Sequence, residues 1–377
     1  MNCAKLFLAS TLLSALAACP SAAKPEDIKV YLVRKTQQPP TLDGVLDEPC
    51  WQKAQLVKDF GYTSYFNKDR TLAIPASEAR MLWDEKYLYV GLTAFEPDIE
   101  AVKRVVSNPG TSIFWRDLFE VHIDSNHDRK TRYQLMANPN GERYVSASFD
   151  LGHTIENTSS WGLWADWTAK ARYGNDRWSV EIAVSFADMD VKPREGTHMG
   201  VNVARFRFVG GTQFLCWNGQ GASHHDKKLW ATAILVGSGA GTDPTQALRM
   251  VYPDMDQRVL RLLRPDGYTV LDRGRASDLN FADVVTREAD RLLQLLENTA
   301  AQVTAADLPE ADRKAFDKAL AKQRKLVEEA RDTAMAGGGE VSYVASRKAL
   351  AAMQPVPEQL DSLIWQLKAL QLALRLE

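Results

Sequence analysis

FWRDLFEVHIDSNHDRKTRYQLMANPNG, residues 114 to 141, contains two alternating runs on either side of a polar turn. In the first run Phe119, Val121 and Ile123 fall on one side and Glu120, His122 and Asp124 on the other, the period of two of a β-strand. In the second, Tyr133, Leu135 and Ala137 oppose Gln134 and Asn138. Asp124 to Asp128 forms the connecting turn, and Asn138 to Gly141 closes the return strand with turn-favouring residues. The stretch predicts a β-hairpin with chemistry on one face. Asp124, Asn126 and Asp128 alternate oxygen donors as calcium loops do, but the glycine and distal glutamate of an EF-hand are missing. The turn therefore reads either as a calcium site or as a solvated turn.

The same pattern extends outward from the hairpin. Short alternating runs occur at VYLV (30 to 33), ARMLWD (79 to 84), KYLYVGLTAF (86 to 95) and ERYVSASFD (142 to 150). They continue through WTAKARY and RWSVEIAVSF to HMGVNVARFRF (198 to 208), FLCWNG (214 to 219) and LWATAILV. One short helix signal, DEPCWQKA (47 to 54), interrupts them. Many short strands without long intervening helices predict a mainly β fold, an antiparallel β-sandwich over residues 24 to 237. Residues 238 to 275 read as a linker with a strand pair, MVYP and YTVL. From 276 to 377 the period becomes 3.6 and predicts a helical bundle, with Ser277 as the first cap, Asp307 and Pro309 before a second helix, a third segment from about Val341, and Pro357 opening the last. Such apolar stripes usually form a core, so the bundle is expected to pack or to mediate oligomerisation or partner binding.

Composition narrows the function classes. The chain has 377 residues, 46 Lys and Arg against 48 Asp and Glu, and a net charge of -2, with no basic block to hold nucleic acid. Residues 1 to 23 read as an export signal: Lys5 precedes an apolar run from Leu6 to Ala18 that is too short to span a bilayer. Its end, LAAC (16 to 19), is similar to a bacterial lipobox, which would lipidate Cys19 and anchor the chain to a membrane; cleavage after Ser21, Ala22 and Ala23 is the alternative. Cys50 and Cys216 remain, either as one disulfide or as two buried thiols.

The β region resembles carbohydrate-binding module family 9 and its relatives in the DOMON-like superfamily. The resemblance rests on ordered motifs: PPTLDGVLDEPCWQKA (39 to 54), ARMLWDEKYLYVGLTAFEPD (79 to 98), the opening hairpin, RWSVEIAVSFADM (177 to 189) and GVNVARFRF (200 to 208). It covers residues 28 to 237 and implies a β-sandwich that clamps a poly- or oligosaccharide between aromatic rings, with calcium supporting the loops. Trp115 matches a stacking tryptophan, with Trp217 as the expected second wall and Trp161, Trp164 and Trp167 as loop alternatives. Asp117 and Glu120 match acidic positions; with Gln134, Asn138, Arg205, Arg207 and Asn218 they are expected to orient hydroxyls. Gln134 departs from the family, standing where at least one sugar-binding member has an arginine. Glu120 and Arg205 alternatively form a cross-strand ion pair.

Such domains accompany secreted glycan-degrading enzymes, so glycosidase activity and carbohydrate catabolism are expected of associated enzymes and binding of this chain. Asp117 and Glu120 are three apart on a strand, so they face opposite sides and make a poor catalytic pair. His224 and His225 are adjacent, poor geometry for one metal, and read as a polar loop. Two other readings remain: a structural or assembly protein whose sandwich no longer binds sugar, and a haem-binding electron-transfer domain using Met136 with His198 or Met199.

Overall fold

The computed structural model describes residues 26 to 374, except 59, 64–72, 74, 109, 152–153, 159–165, 219–222, 240–247, 250–251, 254–255, 257–258, 265–266, 273–274 and 337–340. Residues 1 to 25, with Cys19 and the segment expected to direct export, lie outside the described residues, as do Trp161 and Trp164. The apolar alternation does form strands: β1 (Glu26–Lys35), β2 (Gly61–Tyr62), β3 (Ser77–Trp83), β4 (Tyr87–Phe95), β5 (Leu118–Asp124), β6 (Arg132–Ala137), β7 (Arg143–Leu151) and β8 (Thr154–Thr158). They continue as β9 (Trp167–Tyr173), β10 (Arg177–Ser185), β11 (His198–Arg207), β12 (Gln213–Cys216) and β13 (Ala231–Val236).

One sheet runs β8-β7-β6-β5-β11-β13-β1-β3-β4-β10-β9. Its two arms fold face to face, so that Phe119 of β5 meets Trp178 of β10 with ring centroids 5.0 Å apart. Between them lies one core built from alternate residues of both arms, among them Val121, Ile123, Leu135, Val90, Leu92, Val180 and Ile182. The sandwich is not wholly antiparallel as expected, because β1 pairs in parallel with both β13 and β3. Alternation reveals which face a residue takes but not strand direction. Another departure is the eight-residue helix Ile99–Val106, whose buried Ile99, Val102 and Val106 close the core after an Asp98 cap. Its stripe is too short to stand out beside strands.

The opening motif is held by a carboxylate from a distant strand. In the sequence segment containing α1 (Pro49–Lys53), the indole of Trp51 donates to Glu181 Oε1 of β10 at 2.9 Å. The amides of Asp43 and Gly44 donate to Glu181 Oε2, each at 2.9 Å. Burial raises the pKa of Glu181 above its ordinary value, while these donors favour the anion. Gly44 has φ +90, and a Cβ there would lie 2.6 Å from the backbone carbon of Ala171, so the turn admits glycine alone.

Numbering Ile99–Val106 as α2, the C-terminal region contains α3 (Phe281–Ala305), α4 (Glu310–Met335), α5 (Tyr343–Met353) and α6 (Val356–Leu374), which share an apolar core. Three antiparallel strands precede it: β14 (Val259–Arg264), β15 (Gly267–Asp272) and β16 (Arg275–Asn280). YTVL is thus a strand, but its partners are β14 and β16 rather than MVYP, where Tyr252 is outside any strand and Met250 and Val251 fall outside the described residues. β14 pairs in parallel with the start of β1, joining this unit to the sandwich sheet. Ser277 is not a helix cap because β16 runs through it; Asn280 caps α3 in a reciprocal capping box with Asp283. Among the described residues no helix is long and apolar enough to cross a membrane. Gly44→Ala is expected to destabilise the sandwich by about 2 kcal/mol or more, read as a lower urea midpoint, because both backbone strain and a backbone clash oppose the methyl group.

Candidate functional site

Strand β5 is buried on both faces. Its odd-numbered residues enter the core, whereas Glu120 and His122 point to the other side and are still 0% exposed. Register places Met136 and Ala204 beside Glu120, and Gln134 and Asn202 beside His122. Gln134 Nε2 donates to Glu120 Oε1, and Ser146 of β7 donates to Gln134 Oε1 at 2.8 Å.

A segment after β12 covers this floor. Asn202 fixes it by accepting from the Asn218 amide at 3.0 Å and donating to the carbonyls of Asn218 and His224 at 3.2 and 3.0 Å. The Trp230 indole donates to the same His224 carbonyl at 2.9 Å, and its ring stacks on His122 at 5.2 Å. His224 Nε2 is thereby held 3.3 Å from Glu120 Oε2, while His122 Nε2 lies 3.2 Å from Glu120 Oε1. His225 packs on His224 with centroids 3.9 Å apart and is exposed. One donor atom from each of Glu120, His122, His224 and His225 falls within 4.8 Å of all the others. Burial lowers the pKa of His122, favouring a neutral ring. Burial also pushes Glu120 upward, but the electrostatic attraction of the neighbouring His122 and His224 rings outweighs it and holds the carboxyl well below its ordinary value.

An aromatic rim adjoins the cluster. Trp115, on the turn Ile113–Trp115, is 61% exposed and stands edge-on to Phe208 at 6.2 Å. Neighbouring Phe114 is also exposed and packs against Tyr144 at 4.8 Å. Phe208 contacts Phe214, which contacts Phe206, and both of the latter contact His224, so rings connect the rim to the floor. An exposed indole braced from behind suits stacking on the apolar face of a sugar.

Several expected site residues serve the scaffold instead. Trp217 is only 5% exposed and meets Tyr31 edge-on within the core, so it cannot form a second wall. Trp167 is buried under the Arg143 guanidinium. Arg205 lies opposite Phe119 on the core side, not on the face of Glu120, which rules out their ion pair. It instead binds Glu96 at 3.3 Å and the carbonyls of Ala76 and Phe95 at 3.2 and 3.1 Å. Arg207 also binds Glu96, at 2.6 and 3.0 Å. Asp117 is buried, with its pKa pushed up to about 6 by burial, and accepts from the Phe208 amide at 2.9 Å. Asn138 closes its own turn by accepting from the amides of Asn140 and Glu142, and Asn218 is locked to Asn202.

Asp124 accepts from the amides of Asp128 and Arg129, Asn126 accepts from and donates to Asp128, and Asp128 accepts from the amides of Lys130 and Thr131. These bonds hold the turn. Cys50 and Cys216 are free thiols in separate apolar clusters, not a disulfide. His198 lies six residues along β11 from Ala204, the level of Met136, roughly 20 Å at the strand rise. Met199 points into the core. Neither pairing of Met136 can reach one iron from these positions.

His122 and Ser146 were missed by reasoning from site motifs, although alternation in EVHID had placed His122 on the face of Glu120. The contribution of His224 depends on a fold that brings residues 104 apart in sequence into contact, which no local pattern announces. Arg205→Ala should cost about 3 kcal/mol in urea unfolding because it strands part of a buried charge network. An arginine acting only as a sugar ligand would leave unfolding unchanged.

A chain from Caldicellulosiruptor kristjanssonii, a carbohydrate binding module of family 9 in complex with cellotriose, is 18% identical with TM-score 0.41, the match covering 57% of this chain and 97% of that chain. A family 9 module from the same organism in complex with glucose is likewise 18% identical with TM-score 0.41, over 58% of this chain and 100% of that one. No curated protein matches. The model of the family described as Carbohydrate family 9 binding domain-like matches residues 42–238, over half the chain, and the chain belongs to that family.

Proposed function

We propose that this chain binds an oligosaccharide outside the cytoplasm and presents it to, or holds it near, a glycan-degrading system. The observation that carries the reading is Trp115: a 61% exposed indole, braced by Phe208, at the edge of a polar face. Membership of the family supports the ligand class, and the two similar structures hold glucose and cellotriose. With Trp217 in the core, the platform is a one-sided rim formed by Trp115 with Phe114, rather than a clamp. In this reading the chain binds rather than cuts, since Asp117 and Glu120 are both fully buried and Asp117 is engaged by the Phe208 amide, unlike two carboxyls open to a cleft. The export signal at residues 1 to 23 and the lipobox-like cysteine, Cys19, support a periplasmic or cell-surface location, with lipidation as the anchor.

A second role is favoured by the last helix, which exposes Trp365 at 64% and Leu372 at 61%. An apolar surface of this kind suits self-association or a protein partner in the same system. Light scattering on full-length Trp365→Ser should show a smaller species than the parent; equal masses would remove this role.

Titration with cello- and xylo-oligosaccharides, after a glycan array has selected the ligand, tests the main proposal. Trp115→Ala should weaken binding about 10-fold or more while leaving the unfolding midpoint unchanged, because the ring is mostly solvent-exposed. Retention of no glycan by the parent, or equal affinity in the variant, would contradict it.

A further inference from the structure

We infer that Glu120, His122 and His224 form a binding site for a divalent transition metal of the zinc class, with His225 at its mouth. This inference stands apart from the sugar proposal, because it rests on a different set of atoms. Glu120 and His122 are 0% exposed and His224 is 2% exposed. Among the described residues, Glu120 Oε2 and both ring nitrogens of His122 and His224 have no hydrogen-bond partner. Leaving so many polar atoms unmatched in one buried place is costly, and a cation satisfies a carboxylate and two imidazole lone pairs together.

The spacing agrees with such a centre. Nε2 of His122 lies 3.2 Å from Glu120 Oε1 and Nε2 of His224 lies 3.3 Å from Glu120 Oε2, with the ligand atoms of the set all within 4.8 Å of one another. Tetrahedral ligands held about 2.0 Å from zinc are themselves about 3.3 Å apart. Imidazole nitrogen with one carboxylate selects zinc or a neighbouring transition metal over calcium or magnesium, which prefer oxygen. Supporting groups are present as well: Gln134 donates to Glu120, and Trp230 stacks on His122 and fixes its ring. His225 is less committed, because Arg132 Nη1 lies 3.3 Å from its Nδ1 and would have to release it for the ring to ligate. A bound metal would tie the segment carrying His224 to β5, at the end of the ring chain that leads to Trp115.

The experiment uses the full-length chain without an affinity tag, stripped by chelator and titrated with Co2+ alone. Visible ligand-field bands should saturate at about one equivalent and be abolished by zinc, and zinc but not calcium should raise the thermal midpoint. His122→Gln and His224→Gln should each weaken Co2+ binding about 100-fold or more, and Gln134→Leu about 10-fold. Circular dichroism checks that each variant folds, and His224→Gln, in the covering segment rather than a strand, decides if His122→Gln does not. No bands from the parent, or unchanged affinity in a folded histidine variant, overturns the site.

Discussion

A carboxylate buried on a sheet face governs the arrangement around it. β5 is covered on both sides, so Glu120 cannot reach water, and an unmatched charge there would cost several kcal/mol. Its environment is built to accommodate it: Gln134 donates from β6, His122 stands two residues along the same strand, and His224 is lowered onto it from the other side. That last placement requires Asn202 and Trp230 to grip the chain at His224. The order of strands β6, β5 and β11 and the placement of His224 and Trp230 therefore meet at one acid.

Two other buried carboxylates act in the same way elsewhere. Glu96 gathers Arg205 and Arg207 on the opposite side of the sheet, and Glu181 gathers Trp51, Asp43 and Gly44 under the opening motif. The motifs that mark this family in the sequence are thus largely the motifs of its scaffold. Arg205 and Trp217 hold the sandwich, whereas Trp115 is free to meet a ligand. This division separates buried residues that hold the fold from an indole left exposed at its rim.

Much of the sandwich was legible because strand alternation reports directly on which face is buried. Phe119, Val121 and Ile123 are in the core, as their spacing required. The parallel pairing of β1 was not legible, since direction leaves no mark on alternation. Nor was the extension of β16 through Ser277, where a favourable capping residue lies inside a strand and tertiary pairing overrides its local preference. In the site, Trp115 stood out through its match to a stacking position of the family, while its 61% exposure came only from the fold. Trp217 was not separable from it by residue type, because both are tryptophans next to strands and only the fold assigns one to water and the other to the core. The adjacent histidines looked unsuited to one metal, yet His224 meets partners from a strand that the sequence does not place beside it.

The central claim is that this family member recognises glycan at the Trp115 rim, and indole nitrogen resonances of the full-length protein test it most directly. On titration with the oligosaccharide that the array selects, the Trp115 indole signal, assigned from Trp115→Phe, should shift to saturation while that of Trp217 stays in place. A glycan that binds while leaving the Trp115 signal unmoved, or a chain in which no indole responds to any glycan, would contradict the account.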